Sequence, residues 1–195
     1  LLKVKNTMIN VIQKKQEIGI VKKQDTSENQ VKIVYLGLGS NLGSKVMNIE
    51  KAKLLLLNNN IEIIKCSSYY ETYSWPNKNF PKYLNIIIKT KTKLNLNNLF
   101  TLIKSIEKKL GRKKLPVNYP RICDIDIIDY NKKSLSTYIY NHKITVPHPR
   151  MKTRNFVLIP LFEVCKNWIH PISRENISEL ISKFNFTDLR SIKIL

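Results

Sequence analysis

Strand-period and helix-period stretches alternate along this chain as strand, helix, strand, strand, helix, strand, which predicts an α+β fold: an antiparallel sheet with helices packed on it and a C-terminal extension. Two observations carry that expectation. The stretch Asn95 to Leu110 repeats Leu99, Ile103, Ile106 and Leu110 on one helical face and is stopped by Gly111. The stretch Arg121-Ile122-Cys123-Asp124-Ile125-Asp126-Ile127-Ile128 is β-branched and apolar, the character of a strand well inside a sheet.

Residues 1 to 30 mix Lys, Gln, Asn and Asp with isolated apolar positions and are expected to be a linker or mobile N-terminal extension, with a short strand near Ile18 to Val21 as the minority option. Val31 to Leu38 is the first strand. It leads into Gly37-Leu38-Gly39-Ser40-Asn41-Leu42-Gly43, which holds three of the chain's five glycines. The spacing is not that of a dinucleotide fingerprint; a tight strand-to-helix turn is the default, and close approach of backbone to a ligand the alternative. From Ser44, a plausible N-cap, a helix runs to about Asn58 with Ile49, Ala52 and Leu56 on one face. Ile61 to Thr72 is the second strand and Tyr83 to Thr92 the third, antiparallel to it across the aromatic, proline-bearing loop Tyr73 to Pro81. The helix Asn95 to Leu110 follows, then a basic loop, Arg112 to Pro120, that delivers the chain to the strand carrying the aspartates. Beyond Tyr130 a polar turn, a short strand around Tyr138 to Ile144, the segment Val146 to Phe156, a mixed apolar stretch to Cys165 and a last helix near Asn176 to Phe184 complete the chain. This is the β-α-β-β-α-β plan of a ferredoxin-like sandwich.

With 195 residues, 43% of them apolar, the length favours one domain, residues 31 to 195, preceded by the extension. The formal charge of +20 favours anionic partners. Heavy use of Lys, Asn and Ile, as an AT-rich genome would produce, discounts that signal by about half. Cys66, Cys123 and Cys165 form no C-x-x-C pair and read as core residues of a reducing compartment rather than a disulfide framework or zinc site. No apolar run reaches the roughly 20 residues of a membrane span, and no secretory signal is evident, so a cytoplasmic protein is expected. The start at Leu1 rather than Met fits a piece cut from a longer polypeptide.

Within the fourth strand Asp124 and Asp126 stand on one face while Ile125 and Ile127 face the other way. Two carboxylates about 5 Å apart at an effective dielectric of about 20 repel by roughly 3 kcal/mol. Water, a protein cation or a divalent metal must compensate. An all-oxygen pair with positions left for water and phosphate suits Mg²⁺, and Arg121 with the basic loop suggests a polyphosphate as the metal's other partner. His148, held between Pro147 and Pro149 with Arg150 and Arg154 nearby, adds rigid donors of the kind phosphate chemistry needs.

The segments Tyr35 to Gly43, Ser67 to Thr72, Tyr83 to Asn85, Ile106-Glu107, Pro120 to Ile127 and Val146 to Met151 together resemble the 6-hydroxymethyl-7,8-dihydropterin pyrophosphokinase family of folate biosynthesis, from about Val31 to Pro171. The resemblance implies transfer of a diphosphate from ATP to the 6-hydroxymethyl oxygen of the pterin, with AMP leaving. It implies two Mg²⁺ ions on Asp124 and Asp126, and Arg112 and Lys114 as a closing phosphate clamp. Arg121, His148 and Arg154 would contact the triphosphate, and Glu107, Ile127, Lys143 and Thr145 would line the nucleotide site. Asn85, with backbone near Thr72, would read the pterin's amide edge, and Tyr83 and Phe156 would sandwich its ring. Departures are Lys114, where arginine is common and bidentate phosphate geometry is given up, and Tyr119 before the Pro-Arg pair. Fusion to other folate-pathway enzymes, with a mitochondrial location if eukaryotic, stays open. The rivals are a ferredoxin-like RNA-binding module, which would need an aromatic-rich strand that the sequence lacks, and an inactive domain of a fused folate-pathway protein.

Overall fold

The computed structural model describes residues 30–195 apart from Lys114, Leu115 and Val117, so the expectations for residues 1 to 29 and for Lys114 lie outside the described residues. Six strands make one sheet: β1 (Lys32–Ser40), β2 (Glu62–Cys66), β3 (Tyr70–Thr72), β4 (Tyr83–Thr92), β5 (Asp124–Tyr130) and, at the C-terminal end, β8 (Ile192–Ile194). The order across it is β5-β1-β4-β3-β8, with β2 also on β4, and every pairing is antiparallel.

The first face is covered by α1 (Lys45–Leu57) and α2 (Leu96–Lys109). Of the apolar residues that predicted them, Ile49, Ala52 and Leu56 from α1 and Leu99, Ile103 and Ile106 from α2 are buried, packed on Val34, Leu36, Leu38, Ile125 and Ile127, while Leu110 lies just past the end of α2 and is partly buried. The Asn95 side chain caps α2 by accepting from the Asn98 amide, whereas Ser44 holds the N-cap position of α1 without a side-chain bond.

The expected single strand from Ile61 to Thr72 is broken. Between β2 and β3 the Ser67 hydroxyl accepts from the Ile87 amide at 3.0 Å while the Ser67 amide donates to the Ile87 carbonyl at 2.9 Å, so a side chain replaces one rung of the ladder. The expected strand Tyr138 to Ile144 is instead a hairpin, β6 (Leu135–Ile139) and β7 (His142–Val146). Tyr140 and Asn141 turn it, with φ of 46° and 64°, left-handed values that fit a two-residue hairpin loop. The aspartate strand begins at Asp124, three residues later than the apolar run suggested.

The largest difference lies in the C-terminal extension, which is a second layer on the sheet's other face. The mixed apolar stretch before Cys165 is α3 (Asn155–Val164), followed by α4 (Ile177–Ser182), α5 (Phe186–Arg190) and β8. Val157, Leu158 and Leu161 of α3 and Ile177 and Leu180 of α4 bury against Tyr35, Ile87 and Ile128. An RNA-recognition module stacks bases on an open sheet face; here helices pack on both faces and leave only one end of the second uncovered. No helix among the described residues is long and apolar enough to cross a membrane.

Candidate active site

The second face is open at one end, and there the sequence-predicted residues gather. Register places Asp124 of β5, Gly39 of β1, Asn85 of β4 and Tyr70 of β3 in one row across four strands. Cross-strand partners point to the same face, so Asp124 and Asn85 flank a glycine across two strand spacings, about 10 Å. Gly39 has to be small: a Cβ there would meet Asn85 Oδ1 at 3.0 Å and the Tyr83 ring at 3.6 Å. The close approach considered for this glycine run is thus made first by a side chain of the same site.

At the Asn85 end, Asn85 Nδ2 donates to Thr72 Oγ1 at 2.9 Å, both side chains buried. Tyr83 lies two residues along β4 on the same face; its phenol is pushed up by burial, with Arg121 opposing and Asp124 reinforcing the shift, so the two ends of the row are within electrostatic reach. Phe156, in the first turn of α3, lies under the Arg154 guanidinium at 5.5 Å from the ring centroid.

At the aspartate end the repulsion between Asp124 and Asp126 is compensated by protein cations. Arg112 Nη1 lies 2.6 Å from Asp124 Oδ1 and Arg121 Nη1 lies 3.0 Å from Asp124 Oδ2. Arg154 Nη1 is 3.4 Å and His148 Nε2 3.8 Å from Asp126 Oδ2. Burial pushes the Asp124 carboxyl up, but Arg121 and Arg112 outweigh it and hold it below the usual carboxylate range. His148 is also shifted down, but chiefly by burial, with Arg154 and Arg150 adding to the effect against Asp126, so its neutral form is favoured. Its Nδ1 accepts from the Arg150 amide at 3.2 Å, leaving Nε2–H as the donor directed at Asp126.

Glu107 is the hinge of this end. Only 1% exposed, it accepts from the Ile125 amide at 2.9 Å and Lys104 Nζ at 2.8 Å, and lies 2.6 Å from the same Arg112 nitrogen that reaches Asp124. Burial pushes its carboxyl up. A cleft of about 1030 Å³ wraps the free edge of β5 between α2 and the β6–β7 hairpin, and brings together Glu107, Arg112, Asp126 and Ile127 with Lys143, Thr145 and His148. Lys104 and Lys108, which sequence reading did not single out, add positive charge to its wall. Among the described residues no three His, Cys, Asp or Glu side chains cluster as a metal site.

One residue that holds the site's loops together was not singled out. Asn41 is 1% exposed; its amide donates to the Arg121 carbonyl at 3.2 Å and its Oδ1 accepts from the Arg121 amide at 2.7 Å. Its Nδ2 donates to Ser74 Oγ and to the Pro81 carbonyl, each at 3.2 Å. It ties the glycine turn, the aromatic loop and Arg121 together. It lies two residues before Gly43, whose φ is 67°, in a run that by itself reads as a turn.

The family model for 7,8-dihydro-6-hydroxymethylpterin-pyrophosphokinase (HPPK) matches residues 35–166. The chain belongs to this family. A 2-amino-4-hydroxy-6-hydroxymethyldihydropteridine pyrophosphokinase of Aquifex aeolicus is 40% identical over 146 residues, 75% of this chain and 88% of that protein. The folic acid synthesis protein fol1 of Pneumocystis carinii is 31% identical over 172 residues, 88% of this chain but 22% of its own length. Among solved structures, the wild-type HPPK-DHPS of Plasmodium falciparum superposes with a TM-score of 0.68 at 16% identity, over 85% of this chain and 48% of that one, and shows the shared fold. Family domains therefore occur both in proteins of about this size and as part of longer polypeptides.

Proposed function

We propose that residues 31–195 form a pyrophosphokinase domain that transfers diphosphate from ATP to the 6-hydroxymethyl group of 6-hydroxymethyl-7,8-dihydropterin, releasing AMP, in folate biosynthesis. The observation that carries this reading is the row Asp124-Gly39-Asn85: a carboxylate at one end, with Asp126 two residues along the same strand, an amide reader at the other, and a side-chain-free strand position between them. The pterin oxygen attacks the β-phosphorus, the bond from that phosphorus to the α–β bridging oxygen breaks, and the hydroxyl proton passes to solvent.

The donor set fits Mg²⁺. Asp124 and Asp126 offer only oxygen and stand beside a cationic cleft, and Mg²⁺ takes one or two carboxylates plus substrate phosphates and water. Asp124 and Asp126 would hold two ions, which when bound supply charge neutralisation around the transferred group. The protein's share is positioning. Arg112 and Arg121 exchange Asp124 for phosphate oxygens when nucleotide enters, with Lys114 joining Arg112 from the basic loop. His148 and Arg154 approach the phosphates from the Asp126 side. Glu107 keeps Arg112 in reach through both states, and Ile127, Lys143 and Thr145 face the nucleoside. Asn85 and the backbone near Thr72 hydrogen-bond the pterin's amide edge, while Tyr83 and Phe156 hold its ring. No protein nucleophile is needed.

The test is AMP release from ATP with and without the hydroxymethyl-dihydropterin, in Mg²⁺ and in EDTA. Pterin-dependent AMP only in Mg²⁺ supports the reading. Absence of pterin-dependent AMP in Mg²⁺ contradicts it, and RNA binding in its place would favour the nucleic-acid module.

A further inference from the structure

Asp129 is a fully buried carboxylate with no part in the reaction above, on the same strand as the site aspartates. Its surroundings connect it to them. The β1–β5 register steps from Tyr35↔Asp129 to Leu36↔Ile127, leaving Ile128 as the extra residue of a β-bulge. The bulge has three consequences. The Ile128 side chain enters the second core beside Met151 and Leu158. The Asp129 carboxylate turns to the same side, where Oδ2 accepts from Trp168 Nε1 at 2.7 Å and Oδ1 from the Lys132 amide at 2.9 Å. The Ile128 carbonyl, released from the regular ladder, accepts from the His148 amide at 2.9 Å. His148 in turn presents Nε2 to Asp126.

We infer that Asp129 is a positioning residue: by bridging Trp168 of the C-terminal layer to the turn after β5 it locks the bulge at Ile128, and the bulge fixes His148 against Asp126. A regular strand at this point would return the Ile128 carbonyl to the ladder and remove the acceptor that seats His148. An aliphatic residue would fill the same core without the desolvation that raises the Asp129 carboxyl; what it would lack is an acceptor for two donors, the Trp168 indole and the Lys132 amide. The inference rests on the proposed role of the Asp126–His148 corner, and its test separates the two.

Three variants are compared with wild type: Asp129→Asn, Asp129→Leu, and the double variant Asp129→Leu with Trp168→Phe, which removes the indole donor along with its acceptor and so limits the folding penalty. The readouts are the ¹⁵N shifts of the His148 imidazole, which report its tautomer and contacts without turnover, and kcat and KM for AMP release. The expected result is a shifted or broadened His148 signal in all three, with kcat down about 10- to 100-fold, the scale of a small misplacement at a reacting centre. In the double variant Tm recovers relative to Asp129→Leu while kcat does not. Unchanged His148 signals in the variants, or a kcat that recovers in step with Tm, would overturn the inference while wild-type turnover leaves the proposed function standing. Absence of wild-type turnover would instead remove the function and leave the His148 signals to decide the structural claim.

Discussion

The two ends of β5 carry carboxylates on the same face and compensate them in opposite ways. At the open end, Asp124 and Asp126 are answered by Arg112, Arg121 and Arg154, cations on flexible stems. At the sealed end, Asp129 is answered by an indole N–H and a backbone amide that cannot leave. Charge on movable partners can be traded for a ligand. Charge held by fixed dipoles is part of the framework. The contrast separates site residues from scaffold where the sequence shows only three aspartates within six positions.

The largest effect that would sharpen this contrast is on turnover at the open end. Asp124→Ala and Asp126→Ala should each lower kcat by at least about 10²- to 10³-fold, the scale of losing a group that stabilises developing charge, while circular dichroism reports an unchanged fold. Near-normal rates from either would break the comparison. Arg112→Ala comes next. It removes a shared partner of Glu107 and Asp124, and should lower kcat/KM for ATP by about 10- to 100-fold, in line with a charge-assisted bond of about 1.5–3 kcal/mol. Asn85→Ala should raise KM for the pterin about tenfold and leave ATP binding measured by calorimetry unchanged, since Asn85 sits at the far end of the row.

How much of this was legible in the chain depended on how local the signal was. α2 was readable because its apolar face repeats at helical spacing and a capping asparagine opens it. α3 was not, because it is apolar nearly all round and carries Pro160 in its interior, a pattern that reads as a breaker in an irregular stretch. The β6–β7 turn was hidden for want of a glycine. In the site, the Asp124–Asp126 pair stood out through the period-2 rule alone. The roles of Asn41 and Asp129 did not, because Asn41 bonds to a partner 80 positions away and Asp129 to one 39 positions away. Of the three compensations that the aspartate pair left open, the one seen is protein cation: Arg112 and Arg121 reach Asp124 from loops whose path to it is set by the fold.

The smallest predicted effect concerns a half-buried carboxylate, Glu175, that neither end of β5 uses. Side-chain bonds from Lys152 and Lys183 hold Glu175 down to about 2. A depressed carboxyl contributes stability above its unfolded pKa and loses it as pH falls through the folded one. Lys152→Gln should therefore lower Tm slightly at pH 7, and the difference should close as pH falls from about 4.5 toward 2. A difference that held constant across that range would show the pair to be inert.

The most direct test of the central claim is metal binding at the open end. Mn²⁺ titrated by electron paramagnetic resonance with a non-hydrolysable ATP analogue should show two bound ions in the wild-type protein, and the loss of at least one in Asp124→Ala and in Asp126→Ala. Two ions bound with undiminished affinity in both variants would contradict the account, because the carboxylate pair would then be held for its arginines alone.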